Sequence, residues 1–130
     1  GMNGRGVDEE TPIEFGDLVE AICSEDGRYR PEAYHFVREA LDYRVARLSE
    51  HRHISGRELL EGVRLLACER FGPMTRTVLN HWGLNVGEDV GAIVFRLIKA
   101  GIMSRTESDS LDDFANIVRY DDAFESEYRW

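Results

Sequence analysis

Apolar residues recur at steps of three and four along most of the chain, and the pattern breaks where glycine, proline or a capping residue intervenes. Phe15, Leu18, Val19 and Ile22 form the first such run, which Glu25-Asp26-Gly27 closes, so a short helix is expected there. Pro31 then occupies a first helical position. Tyr34, Val37, Leu41, Val45 and Leu48 follow it, and the spacing predicts a long helix from Pro31 to Glu50.

Ser55-Gly56-Arg57-Glu58 has the form of a capping box, in which the serine hydroxyl accepts from the backbone N–H three residues on while the glutamate reaches back. A third helix therefore starts here, with Leu59, Val63, Leu66, Ala67 and Phe71 as its stripe. Gly72-Pro73 both ends it and opens a fourth, carried by Met74, Val78, Leu79 and Trp82 as far as Gly83. Asn85 with Glu88 repeats the capping logic before Val90, Ile93, Val94, Leu97 and Ile98, and Gly101 is read as the stop of this fifth helix. Beyond it, Ile102-Met103-Ser104 and Asn116 to Tyr120 are short β-prone runs around the acidic link TESDSLDDF, which admits either a hairpin or one more helical turn.

The expectation is a mainly α fold, a compact five-helix domain with a small C-terminal β-hairpin and winged-helix-like connectivity over residues 55–120. Residues 1–11 offer no apolar run to pack and read as a disordered segment, with Gly1 before Met2 as a tag remnant. Residues 12–124 form the single domain, and residues 125–130, ESEYRW, are expected to fray. Gly62 and Gly91 interrupt helical runs at a cost of about 1 kcal/mol each relative to alanine, which points to close approach, most simply a tight helix crossing.

Charge changes the picture more than composition does. The net charge is −9, but residues 1–30 carry 8 acids against 3 bases, residues 31–105 carry 9 against 11, and residues 106–130 carry 8 against 2. An arginine-rich middle is thus flanked by acidic ends. Arginine outnumbers lysine, Lys99 being the lone lysine, a bias that codon usage explains without any anion-binding role. No apolar run approaches the roughly 20 residues that span a bilayer, and a cytoplasmic protein without membrane contact is expected. Cys23 and Cys68 lie in apolar helical surroundings and read as small hydrophobes rather than a disulfide or a catalytic thiol.

The candidate chemistry is thin. Glu32 and His35, then Glu50 and His53, each show the Glu-x-x-His spacing of di-iron bundles, with His51 inside the second copy. Both copies fall on or beside one helix, 18 residues and roughly 27 Å apart, so they cannot share a dinuclear centre. His35 has Glu39 one turn on and reads as a surface pair, and His81 sits at a helix end. Ser104, Ser108 and Ser110 sit among acids, which oppose an alkoxide. Catalytic, cofactor-binding and metal-binding residues are accordingly assigned as none.

Helix insertion into the major groove is how a winged-helix fold usually reads DNA. Here the fifth helix opens with Glu88 and Asp89, and the wing would hold Glu107, Asp109, Asp112 and Asp113, a distribution that repels phosphate. A basic side formed by Arg38, Arg44, Arg47, Arg57 and Arg64 keeps a nucleic-acid reading as the alternative.

SGRELLEG, FGPM, the Leu79 to Gly83 end and the DSLDDF…YDDAF tail together resemble a bacterial family of uncharacterised small proteins of the Minf type, over about residues 13–124. The resemblance implies membership and transfers no activity, cofactor or site residue. By elimination, the sequence reads as a non-enzymatic protein-interaction module with an unidentified protein partner or a homodimer, engaging through the acidic tail and its aromatic residues. Nucleic-acid binding stands second and a small metal-dependent enzyme third.

Overall fold

A computed structural model describes residues 14–50, 52–104, 118–119, 124 and 130, and it is mainly helical, as the periodicity predicts. Helix α1 spans Phe15–Glu25 and buries Leu18 and Val19. Helix α2, Pro31–Ala46, has its proline in the first turn and buries Ala33, Tyr34, Phe36, Val37, Ala40 and Leu41. It packs against α1 on one side and on the other against α3, Gly56–Phe71. A 3₁₀ turn at Gly72–Met74 leads into the short α4, Thr75–His81, and α5, Gly87–Ser104, closes on α1, α2 and α3. The core is continuous from Leu18 and Val19 through Tyr34 and Leu60 to Ile93 and Leu97.

Helix α2 stops four residues before the Glu50 that the pattern predicts. The Arg47 and Leu48 amides turn to the carbonyls of Arg44 and Val45, three residues back, which tightens the last turn and ends the helix. The turn has a packing cause: the chain must reverse to bring Ile54, fully buried, under α3.

The predicted C-terminal hairpin does not form between residues 102–104 and 116–120. Helix α5 runs through Gly101 to Ser104. Gly101 is buried in line with Val90, Ile93, Val94 and Leu97, so core packing outweighs the modest helix penalty of one glycine. Val118–Arg119 instead pairs in parallel with Ile54–Ser55, in the register Ile54 to Val118. Strand β1, Ile54–Ser55, therefore takes β2, Val118–Arg119, as its partner over two residues, and buried Ile54 and Val118 share the seam.

The capping box at Ser55 forms as read. Ser55 Oγ accepts from the Glu58 amide at 3.1 Å, and Glu58 Oε1 accepts from the Ser55 amide at 3.0 Å. Arg52 adds two hydrogen bonds to the same carboxylate, at 3.0 and 2.8 Å, and Arg44 approaches Oε2 at 3.3 Å. At the far end of α3, Gly72 takes φ +54, and the rings of Phe36, Phe71 and Trp82 meet with centroids 5.5 to 5.8 Å apart. Met74, read as part of the fourth stripe, is 54 % exposed because it lies in the 3₁₀ turn and not on α4.

Gly62 meets the Ala40 carbonyl and Arg44 Cβ where an added Cβ would sit at 3.2 and 3.3 Å, so it allows α3 to cross α2 closely.

Candidate functional site

The α1–α2 turn is fixed from three directions. The Arg30 amide donates to the Trp82 carbonyl at 3.2 Å. Gly83, at φ +99, presses its bare Cα against the same turn, where a Cβ would lie 3.0 Å from Tyr29 Cδ1 and 3.2 Å from the Arg28 carbonyl. Tyr29, buried, then sends its hydroxyl to Asp89 Oδ1 at 2.8 Å.

Asp89 joins that turn to the start of α5. Its Oδ2 accepts from the Asn85 and Val86 amides at 2.8 and 3.0 Å, satisfying donors that the helix itself leaves unpaired. Arg28 Nη2 stands 3.5 Å from Oδ1. The sequence reading gave this capping role to Glu88. The helix starts at Gly87, which places Asp89 and not Glu88 at the third position, so the carboxylate that reaches back is one residue later.

A second tie runs beside it. Arg96 donates from Nε and Nη2 to Asp26 Oδ2 at 3.1 and 2.6 Å, and the Arg28 and Arg96 guanidinium carbons lie 5.2 and 5.1 Å from the Tyr29 ring centroid. The Arg28 amide and then Arg96 hold the Asp26 carboxyl below its ordinary range. Burial, followed by the bond to Asp89, raises the Tyr29 hydroxyl above the ordinary tyrosine value. Tyr34, its ring 6.4 Å from that of Tyr29, is fully buried with a hydroxyl that makes no hydrogen bond among the described residues, and burial pushes it up to about 12.

These ties present the outer face of α5. Glu88, Ala92, Phe95 and Lys99 follow one another at steps of four, three and four, so they form one stripe opposite the buried Val90, Ile93, Val94 and Leu97. Phe95 is 59 % exposed. Beside it runs a groove of about 320 Å³, floored by Gly91 and Ala92 and walled by Phe124 on one side and by Arg28 and Tyr29 on the other. Gly91 makes that wall possible: a Cβ there would lie 2.7 Å from Phe124 Cβ. The close approach at Gly91 is therefore to the C-terminal segment of the chain and not to a crossing helix. Trp130 also packs back, donating from Nε1 to the Leu84 carbonyl at 3.0 Å; residues 125–129, where fraying is expected, lie outside the described residues.

The residues singled out for metal chemistry do not converge. His35 is exposed and meets the Phe15 ring edge-on at 5.4 Å, while its expected partner Glu39 binds Arg70 at 2.8 Å. Glu32 lies near Arg30, His53 and His81 are exposed, and His51 is outside the described residues. No group of three histidine, cysteine, aspartate or glutamate side chains suited to a metal occurs among the described residues. Cys23 and Cys68 are both free. Cys23 is half-buried and its thiol is raised by burial, whereas Cys68 is exposed, contrary to the buried role read for it, because it falls just off the core stripe of α3.

Four of the five arginines of the basic side face carboxylates or rings. Arg38 lies 3.5 Å from Asp42, Arg57 3.7 Å from Glu61, Arg44 3.3 Å from Glu58, and Arg47 stacks 3.5 Å from the Tyr43 ring centroid. Asp89, read as a charge facing incoming phosphate, is turned inward and 5 % exposed. No described helix is long and apolar enough to cross a membrane.

The sequence pattern did not single out Phe95. Its signal was an aromatic residue exactly out of phase with the apolar stripe of its own helix, between Glu88 and Lys99. The chain matches no protein-family model, no curated protein and no solved structure.

Proposed function

We propose that this chain is a non-enzymatic protein-interaction module that docks through the outer face of α5. The observation that carries this reading is Phe95, a large aromatic side chain left 59 % exposed beside an apolar-floored groove, on a helix whose opposite face is fully packed. An exposed aromatic next to a concave surface is the arrangement from which interface anchors are built. Rigid support favours the same reading, since Asp89 and Arg96 tie α5 to the α1–α2 turn on the flank of the groove. The nucleic-acid alternative draws less support, because three of the arginines it would use, Arg38, Arg44 and Arg57, already face acids on their own surface.

A photo-crosslinking amino acid placed at Phe95 tests the proposal, with one at Leu65, exposed on α3, as the control. Illumination in cell extract is expected to give a discrete protein adduct from position 95 and none from position 65. No adduct from position 95, or equal adducts from both, would remove the reading.

A further inference from the structure

We propose that the occupant of the α5 groove is a second copy of this chain, packed antiparallel across a two-fold axis that passes midway between residues 93 and 94. The inference rests on the docking reading of the same face and names its partner.

The spacing of the stripe is palindromic. Glu88, Ala92, Phe95 and Lys99 read four, three, four in either direction, and positions 88 and 99, like 92 and 95, are equidistant from the point between 93 and 94. A two-fold contact requires that if residue i meets residue j, then j meets i. Antiparallel packing about that point satisfies this twice over. Phe95 of each copy meets Ala92 of the other, and Glu88 of each copy meets Lys99 of the other. Two independent complementarities, large against small and acid against base, therefore share one axis.

The surface suits this partner in shape as well. Ala92 leaves only a methyl on the helix backbone at the groove floor, which permits the 8–10 Å interaxial distances of packed helices. The facing Phe95 enters between Phe124 and Arg28, whose side chain is 62 % exposed while its guanidinium stays paired with Asp89. Glu88 and Lys99 stand about 16 Å apart along the helix, at the two ends of the contact. Neither has an ion-pair partner in its own chain among the described residues, although most charged neighbours do. Parallel packing would set Glu88 against Glu88 and Lys99 against Lys99, so the charges select the antiparallel arrangement.

Sedimentation velocity of the full chain over a concentration series is the test. The expected result is a species of twice 14.9 kDa that Phe95→Glu converts to the single-chain mass, with circular dichroism showing the helices retained. Glu88→Lys and Lys99→Glu are each expected to weaken association about tenfold, and the double variant to recover to within about threefold of the parent, because it exchanges the partners without losing the pairs. A single-chain mass at every concentration, a dimer indifferent to Phe95→Glu, or a double swap no better than the single ones would overturn the proposal. A single-chain mass combined with a heterologous adduct from position 95 would overturn self-association alone. Absence of both the dimer and the adduct would overturn the docking reading with it.

Discussion

Tyr29 and Asp89 are 60 positions apart in the chain, yet the tyrosine hydroxyl donates to Asp89 Oδ1 at 2.8 Å inside the fold. The contact joins the α1–α2 turn to the first turn of α5 and holds the carboxylate that caps that helix. A buried carboxylate is tolerated only when its oxygens are served, and here two amides serve one oxygen while the tyrosine serves the other.

Tyr29→Phe is therefore expected to destabilise the protein by about 1.5–3 kcal/mol, the range for losing a hydrogen bond to a charged group. Tyr34→Phe provides the contrast. The Tyr34 hydroxyl is buried without a partner among the described residues, so its removal deletes a desolvated polar atom and breaks no described bond. The Tyr34 variant should match or exceed the parent in stability. Urea denaturation of the two single variants checks both outcomes, and similar losses in the two would contradict the assignment.

Glu58 makes the start of α3 sensitive to acid. Arg52, followed by the Ser55 amide, holds its carboxyl at about 2, below the ordinary value of 4.5. Because the folded-state value is the lower one, the stabilisation is fully present above about 4.5 and is lost as pH falls toward about 2. Glu58→Gln should flatten the dependence of stability on pH across that window. Ser55→Ala should instead cost about 1 kcal/mol at neutral pH while keeping an acid-sensitive window, because the Arg52 bonds to Glu58 remain. Denaturant titrations from neutral pH down through the window distinguish the two variants.

Gly83 supports the same turn from the other side. At φ +99, with Tyr29 Cδ1 3.0 Å from any added Cβ, this position excludes side chains on both conformational and steric grounds. Gly83→Ala is expected to lower stability by about 1–3 kcal/mol and to increase amide exchange in the Arg28–Arg30 segment. Exchange rates in that segment equal to the parent's would show that the turn does not depend on Gly83.

Local rules carried much of the fold into the sequence. The Ser55 capping box, Pro31 at a helix start and the core stripe of α3 each depend on residues close in the chain, and each formed as read. The misreadings have non-local causes. Gly101 resembles a helix stop until its place in the buried row of α5 is known, and Val118 reveals its parallel partner Ile54 only when the chain has folded. Asp89 looked like surface charge because nothing near it in sequence announces Tyr29. The candidate docking face was written in the pattern, since Phe95 falls on the polar side of its helix, but its groove needs Phe124 brought up against Gly91.

The packing of Phe124 on Gly91 can be tested by a reversal of sign. In the parent, Gly91→Ala places a methyl 2.7 Å from Phe124 Cβ and 3.3 Å from its carbonyl oxygen, so the ring and its backbone must withdraw. Burying a phenylalanine contributes about 1.5–3 kcal/mol, more than the roughly 1 kcal/mol that alanine gains over glycine inside a helix. The substitution should therefore destabilise the parent. Phe124→Gly removes both the ring and the Cβ that the new methyl would meet, leaving only the carbonyl oxygen, at 3.3 Å, of the three contacts, so in that background the clash is largely relieved and the helical preference of alanine dominates. Gly91→Ala should then stabilise the protein by up to about 1 kcal/mol. A double-mutant cycle read by thermal or urea denaturation gives the coupling between the two positions directly. Equal effects of Gly91→Ala in the two backgrounds would mean that Phe124 does not form the groove wall, and the docking face would lose the side that the C-terminal segment supplies.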